Sequence, residues 1–453
     1  MNKFNIPVSS NTWVHITSNN GLRFSALDRR LNEILVMPEI DPRASSIGPM
    51  IAPLVVIESE KGYQAVWADT DPEIRVDQEK MEISGKNLQV SGYEKTLKEA
   101  AKVYLGKNPL PPKIASDRPH RFSRAINLDM FLPEGRIVNT YADAVRLVED
   151  LAKRDLSNNT ILYLNGWCGH YDAIYPQYKP AEALGGSKGL HHLMEASRKY
   201  GVTVLLHVNY WGYDESTGLL PDYNDYRVYD DQGSPMGYAG ITWSGATNPL
   251  AYMRVDDPRW TKVWFGYIDP LIEEYGIQAL FLDQIGLTPD DGIRQGTIDM
   301  LKRLHATHPG IILGGEMLKD FLLPYVDIYT DWGAPWCGIV GDDLTTDFSP
   351  IIRHLFAEQA VFMGHMGFPS AVPCRYNWTN MMWILEHGIE EAFMLAQEYR
   401  NKLGGIPHVH IPYCIRGIDP LSLKVLKGEL KFTGDDLPRH PGSRKITDVK
   451  DEI

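Results

Sequence analysis

The sequence is poor in cysteine, with four residues in 453 and no C-x-x-C pair. Four scattered thiols are too few for a disulfide framework and are wrongly spaced for a zinc knuckle. No window reaches the roughly 18 apolar residues of a membrane span, and the N-terminus lacks the apolar core of a signal peptide. We therefore expect no membrane partner and a cytoplasmic location, or secretion if a signal peptide has been trimmed.

Basic runs and phosphate-binding glycine motifs are also absent. Lys and Arg total 45 against 58 Asp and Glu, a net charge of −13, and no cluster of basic residues that would follow a nucleic-acid backbone is visible. There is no P-loop, and no G-x-G-x-x-G follows the first strand of the alternating region described below. We expect no nucleic-acid partner and no cofactor, and the oligomeric state is left open.

The patterning divides the chain into four parts. Residues 1–110 predict a β-rich N-terminal domain of short strands separated by Gly, Asn, Asp and Pro, and 111–124 predict a proline-rich linker. From 125 to 415, eight apolar runs alternate with helical windows, which matches the size of a (β/α)8 barrel. A doubly wound sheet is the rival, but it lacks its usual glycine signature. Residues 416–453 predict a polar C-terminal tail.

The predicted barrel strands are short apolar runs with small, polar or aromatic residues at their ends: Ala125–Phe131, Thr160–Asn165, Val202–Asn209, Ala279–Asp283, Ile311–Glu316, Asp327–Asp331, Ala360–Gly364 and Pro407–Pro412. The predicted helices between them are Tyr141–Arg154, Gly189–Tyr200, Pro258–Tyr275, Gly292–His305, Pro350–Ala357 and Asn380–Leu403.

Two acids close neighbouring predicted strands. Asp283 ends ALFLD and Glu316 ends IILGGE, and in this kind of barrel the chemistry lies at the carboxyl ends of the strands. Every second residue before each acid is small or apolar and points to the same side of the strand as the acid does, so both acids are expected in the barrel mouth. Because adjacent strands lie ~4.8 Å apart, their separation would approach the ~5–5.5 Å of a retaining glycosidase.

Asp331, at the end of the sixth strand, is the third catalytic candidate. Its carboxylate would stabilise an oxocarbenium-like charge or bind a sugar hydroxyl, and a structural use is the alternative. Aromatic rings suit the C–H faces of a sugar, although core packing explains about half of such rings. Candidate substrate-binding residues at the strand ends and in the following loops are Asp129, Trp167, His207, Asn209, Trp211, Trp332 and His365.

A metal-dependent hydrolase is a second possible class. His408-Val-His410 forms an H-x-H pair in the eighth strand, and Asp342, Asp343 and Asp347 follow the sixth. In amidohydrolases, however, the H-x-H pair belongs to the first strand, and the acid spacing does not match an EF-hand. We expect no metal, and a Ser-His-Asp site has no G-x-S-x-G elbow here.

The segments GIQALFLDQIG, containing Asp283, and GIILGGEM, containing Glu316, resemble glycoside hydrolases with an Asp nucleophile on strand 4 and a Glu acid/base on strand 5. The α-amylase superfamily and the endo-α-N-acetylgalactosaminidases are of this kind. The resemblance implies a retaining (β/α)8 hydrolase of an α-linked sugar. An α-amylase would carry Arg at 281 and an acid at 366, where this chain has Phe281 and Met366, so a starch-type substrate is not expected. A non-catalytic carbohydrate-binding barrel is the alternative outside enzymes.

Overall fold

The computed structural model describes residues 2–7, 9, 11–18, 21–27, 50–77, 80–114, 122–131, 137–169, 173–230, 232–241, 247–331, 346–364, 406–411, 413–418 and 420–429. The strands outside the barrel are β1 (Asn2–Pro7), β2 (Trp13–Ile16), β3 (Leu22–Ser25), β4 (Leu54–Ser59), β5 (Gly62–Trp67), β6 (Glu73–Val76), β7 (Lys80–Gly85), β8 (Gln89–Glu94), β12 (Gly212–Asp214), β13 (Gly237–Ile241), β14 (Thr247–Tyr252) and β18 (Thr346–Phe348).

A parallel eight-stranded sheet forms the barrel, as the sequence predicted. Its strands are β9 (Arg124–Asp129), β10 (Thr160–Asn165), β11 (Val202–Asn209), β15 (Ala279–Asp283), β16 (Ile312–Gly315), β17 (Ile328–Asp331), β19 (Val361–Gly364) and β20 (His408–His410). They pair in the order β19-β17-β16-β15-β11-β10-β9-β20. The Ile406 amide donates to the carbonyl of Phe362 at 3.0 Å, which ties β19 to the segment entering β20 and nearly closes the ring.

Helices follow most of the barrel strands. They are α2 (Tyr141–Lys153), α3 (Gly186–Tyr200), α4 (Pro258–Tyr275), α5 (Asp291–Thr307), α6 (Ile351–Phe356), α7 (Tyr413–Arg416) and α8 (Pro420–Leu426), with α1 (Leu97–Lys107) preceding the barrel. Their ends follow local sequence signals. A capping box of Thr140 and Asp143 starts α2, and left-handed Gly201 and Gly276 end α3 and α4, because glycine adopts that conformation without a steric penalty. The predicted helix Asn380–Leu403 lies outside the described residues.

Two antiparallel sheets form the N-terminal region. One has the order β1-β7-β6 and the other β18-β3-β2-β4-β5-β8. Strand β4 of the second sheet is buried on both faces: Val55 and Ile57 pack with Ile83 between the two sheets, whereas Leu54 and Val56 belong to a core that continues into the barrel. The N-terminal sheets and the barrel therefore share hydrophobic contacts.

Three features depart from the sequence-based division. Strand β18, which follows β17 in the chain, pairs antiparallel with β3 and so adds barrel-region sequence to the N-terminal sheet. A three-stranded sheet of order β12-β14-β13 follows β11. Helix α8, within the predicted polar tail, buries Val425 and Leu426.

The predicted linker lies against the barrel. Lys113 Nζ donates to the carbonyls of Leu323 (2.9 Å) and Val326 (2.5 Å) and lies 3.6 Å from Asp327 Oδ1. The Ile114 amide donates to the carbonyl of Pro324 at 2.8 Å. No helix among the described residues is long and apolar enough to cross a bilayer.

Candidate active site

The barrel interior is filled by side chains that alternate with an outward-facing apolar set. The lower layers form one buried cluster of Phe122, Ala125, Ile161, Tyr163, Leu205, Ala279, Phe281, Ile312, Ile328, Val361 and Met363. Side chains of one strand face the same way at every second residue. Asp283, two residues beyond Phe281, therefore lies above this cluster at the carboxyl end of the sheet, as the sequence predicted.

The Asp283 carboxylate is held from the neighbouring strand β11. Asn209 stands directly opposite Asp283 in the parallel register, and its Nδ2 donates to Asp283 Oδ2 at 2.9 Å. His207, one layer below, places Nε2 at 3.8 Å from the same oxygen. Asp283 is only 7% exposed. This strand-end acid is therefore fixed by polar groups while its surroundings exclude most water.

His207 is buried and bonded within the barrel. Its Nδ1 lies 2.7 Å from the hydroxyl of Tyr163 on β10, and its ring stacks on Phe281 with centroids 5.6 Å apart. Burial lowers the pKa of His207, and the nearby Asp283 carboxylate only partly opposes this shift. His207 is therefore a neutral imidazole beneath the site at neutral pH.

Glu316 adjoins Asp283 through the backbone. Its Oε1 accepts a hydrogen bond of 2.9 Å from the amide of Gln284, the residue after Asp283, and Glu316 is 2% exposed. Both acids are followed by a non-glycine residue in the left-handed region, Gln284 at φ 57° and Met317 at φ 55°. A non-glycine residue rarely adopts this left-handed conformation, which costs roughly 1–3 kcal/mol of conformational free energy. The two strand ends thus form one strained, hydrogen-bonded unit.

A second polar group lies at the ends of β9 and β10. Asn127 Nδ2 donates to Asp129 Oδ1 at 3.2 Å, and Asn165 Nδ2 donates to Asn127 Oδ1 at 2.7 Å. The Asn139 side chain donates to the carbonyl of Asp129 at 2.6 Å. Asn165 Oδ1 is buried without a hydrogen-bond partner among the described residues. Because a buried acceptor normally has a donor, this oxygen is suited to a ligand hydroxyl or a water.

The structure does not place Trp167 and Trp211 where the sequence suggested. Both indoles are 0% exposed. Trp167 Nε1 donates to the carbonyl of His207 at 2.7 Å, and Trp211 stacks on Tyr252 with centroids 4.0 Å apart. Neither ring presents a face to a sugar, and both instead pack beneath the loops that surround the site.

Other predicted residues are placed only in part. Asp331 ends β17 opposite Gly364 in the register, at the same end of the sheet as Asp283. The described residues do not include Trp332, His365, Asp342 or Asp343. For Asp347 they include the backbone but not the side chain. In the lower half of the barrel, His408 pairs with Ala125 in the register. No group of three potential metal-ligating side chains occurs among the residues described.

The sequence reasoning missed several site residues. Asn127, Asn165 and Tyr163 occupy interior positions of β9 and β10, and Tyr178 bonds Asn209 from the loop after β10. The first three carry a readable signal, which is a polar side chain at the inward parity of an apolar strand. Tyr178 carries none, because its contact depends on how a long loop returns to the barrel.

The fold is similar to solved glycoside hydrolases. An α-N-acetylgalactosaminidase from Bifidobacterium bifidum in complex with GalNAc superposes with a TM-score of 0.60 at 14% identity, over 79% of this chain and 66% of that one. An α-galactosidase from Thermus thermophilus gives 0.50 at 13%, over 72% and 67%. A GH36 α-galactosidase from Geobacillus stearothermophilus gives 0.51 at 12%, over 80% and 55%.

These likenesses establish the (β/α)8 fold. The chain spans about two thirds of the length of the Bifidobacterium enzyme (66%). The neighbours differ from the families that the sequence motifs suggested, since they are α-N-acetylgalactosaminidases and α-galactosidases. No protein-family model matches the sequence, and no curated protein matches it.

Proposed function

We propose that this protein is a retaining glycoside hydrolase of α-linked galactose or N-acetylgalactosamine, with Asp283 as the nucleophile. The observation that carries the proposal is the fixed, nearly buried Asp283 carboxylate at the end of β15, hydrogen-bonded by Asn209 at 2.9 Å. Catalytic groups of such barrels lie at the carboxyl ends of strands. The activities named for the similar structures, α-N-acetylgalactosaminidase and α-galactosidase, support the choice of sugar.

The proposed reaction has two displacements. In the first, a lone pair of the Asp283 carboxylate forms a bond to the anomeric carbon while the bond from that carbon to the leaving oxygen breaks. The leaving oxygen keeps the electron pair of the broken bond and receives a proton from a second carboxylic acid. In the second displacement, a water molecule gives a proton to the carboxylate that served as the acid, and its oxygen attacks the anomeric carbon. The bond to Asp283 breaks and the Asp283 carboxylate is released. The anomeric configuration is retained because both displacements invert it.

We propose Glu316 as the acid/base. It directly follows β16, the strand that pairs with β15, and its carboxylate accepts a hydrogen bond from the amide of Gln284, the residue after the nucleophile. Asp331 is the competing choice, because it ends the next strand, β17, at the same end of the barrel. Both are carboxylic acids, and either supplies the second carboxylate that a retaining glycosidase needs.

The polar group at β9 and β10 is proposed to bind sugar hydroxyls. Asp129, Asn127 and Asn165 orient one another, and the buried Asn165 Oδ1, which has no partner among the described residues, is an acceptor that a sugar hydroxyl would satisfy. A sugar hydroxyl both donates and accepts, so it matches a mixed amide and carboxylate site.

The proposal is tested by a screen of nitrophenyl glycosides with both anomers of galactose, N-acetylgalactosamine and glucose. We expect turnover of the α-galactoside or the α-N-acetylgalactosaminide, with loss of that turnover in Asp283→Asn. Product anomers observed by NMR should show retention. Binding of the sugar without turnover would support the carbohydrate-binding alternative, and turnover of β-anomers alone would contradict the proposed substrate.

A further inference from the structure

We infer that Asn209 is a positioning residue that anchors Asp283 Oδ2 and leaves Oδ1 as the attacking oxygen. The inference rests on the proposed function of Asp283. It assigns Asn209 a task different from the substrate contact that the sequence suggested, because its amide is occupied by the protein itself.

The orientation of the Asn209 amide is fixed by the backbone that follows it. Its Oδ1 accepts hydrogen bonds from the amides of Trp211 at 3.1 Å and Gly212 at 2.6 Å. A flipped amide would set its NH2 group against these two donors, so Nδ2 must face Asp283. A Cβ on Gly212 would lie 2.8 Å from Asn209 Oδ1, and glycine at this position therefore permits the close approach.

The backbone of Asn209 is held as firmly as its side chain. Its amide donates to the hydroxyl of Tyr178 at 3.0 Å, and its carbonyl accepts from that hydroxyl and, at 3.1 Å, from Trp264 Nε1. Trp264 is fully buried and Tyr178 is 2% exposed. The donor to Asp283 is thus rigidly supported by α4 and by the loop after β10, as an effective catalytic geometry requires.

The two oxygens of Asp283 have different surroundings. Oδ2 accepts from Asn209 and lies 3.8 Å from His207 Nε2. Oδ1 has no hydrogen-bond partner among the residues that the structure describes, and it is not one of the fully buried unpartnered atoms. Oδ1 is therefore the oxygen accessible for attack, and Oδ2 becomes the carbonyl oxygen of the glycosyl ester.

The hydrogen bond from Asn209 acts on the charge of the carboxylate. It stabilises the ionised Asp283 before attack and again as the carboxylate is released from the ester. Charge on Oδ2 falls when the ester forms and returns when water displaces the carboxylate. Loss of the donor should therefore slow the release of the Asp283 carboxylate from the ester.

Two variants separate this role from a packing role. Asn209→Ala removes the donor, and we expect kcat to fall by about tenfold, because release of the carboxylate becomes slower. Asn209→Asp is the variant that keeps the shape and the acceptor for Trp211 and Gly212. It should reduce activity on the order of a hundredfold at pH 8. The ratio of its activity to that of the wild type should rise as the pH falls, because protonation of the introduced carboxyl restores a donor.

Thr160→Val is the matched control, since it removes a fully buried hydroxyl at the first residue of β10, at the end of the strand away from the site. It should lower the melting temperature, while the ratio of its activity to that of the wild type stays constant across pH. A constant ratio of Asn209→Asp to wild type across pH, with Asp283→Asn inactive, would overturn the inference alone. Undiminished activity of Asp283→Asn, or no glycosidase activity in the wild type, would overturn the proposed function and the inference together.

Discussion

Two acids at strand ends of this barrel are each followed by a residue with left-handed backbone. Left-handed Gln284 and Met317 follow Asp283 and Glu316, and the Gln284 amide links the two ends by donating to Glu316. Strained backbone of this kind is retained where the surrounding structure over-determines it, often at functional sites. The sequence predicted the two acids because each ends an apolar strand. It could not predict the link between them, since that bond depends on the conformation of Gln284.

At the residue scale, the acid/base assignment can be tested by leaving-group dependence. In Glu316→Gln, aryl glycosides with good leaving groups should retain far more activity than those with poor ones, because good leaving groups need little protonation. Azide should raise turnover of the good substrates by replacing the base-assisted water. Asp331→Asn is the matched comparison on the next strand. If that variant shows the leaving-group dependence and the azide rescue, Asp331 is the acid/base and the assignment of Glu316 fails.

At the element scale, the parallel barrel strands were the part most accessible to sequence analysis. The predicted bounds of β10, β11 and β15 agree with the structure, because these strands are buried on both faces and read as continuous apolar runs. Strands β12 and β18 were missed. Each has three residues, and each is stabilised by pairing with a distant segment that carries no local signal.

The turn after β15 packs against the turn after β16, and Gly286 tests that contact. A Cβ at Gly286 would lie 1.6 Å from the carbonyl oxygen of Met317, so Gly286→Ala must displace the backbone next to Glu316. We expect a lower melting temperature and a loss of activity on the order of a hundredfold, as small misplacements of catalytic groups cause.

Gly266→Ala is the control for this substitution. Gly266 lies on the exposed side of α4, and a methyl group added there would have nothing within 4 Å. Alanine favours a helix by about 1 kcal/mol over glycine. This variant should be as active as wild type and slightly more stable. Equal behaviour of the two alanine variants would show that the turn tolerates the displacement.

At the scale of the whole molecule, a partly buried polar network joins the N-terminal sheets to the barrel region. His15 Nδ1 lies 2.8 Å from the hydroxyl of Ser349, just after β18, and its Nε2 lies 3.0 Å from Glu58 Oε2. Arg23 also pairs with Glu58 at 2.8 Å. Together with the shared core and the contacts of Lys113, this network indicates that the N-terminal region is part of one folded unit with the barrel.

This network predicts a pH dependence of stability. Burial lowers the pKa of His15, and the hydrogen bond to Glu58 only partly opposes this shift. The same hydrogen bond is the main cause of the lowered pKa of Glu58. A histidine whose pKa is lowered in the folded state contributes fully to the free energy of unfolding above its unfolded-state pKa of about 6.5. That contribution is lost as the pH falls towards the folded-state pKa. The melting temperature should therefore drop between pH 7.5 and 5.5.

His15→Gln should make that drop smaller, because glutamine does not titrate. The same change at His191, whose side chain is 44% exposed, serves as the control and should leave the pH dependence as in wild type. Tyr63, Arg23 and His354 also face His15 and are unchanged in both variants. An equal drop in the His15 variant and the wild type would show that this network does not govern acid stability.

The central claim is that Asp283 forms a covalent glycosyl ester. The most direct measurement is mass spectrometry of the protein after incubation with an activated fluorosugar of the α-galacto or α-N-acetylgalactosamino configuration, which forms the ester and slows its hydrolysis. We expect an intact-mass increase of one sugar, with the modified peptide containing Asp283 and no increase in Asp283→Asn. A sugar on a peptide carrying Glu316 or Asp331, or turnover with inverted product and no adduct, would contradict the account.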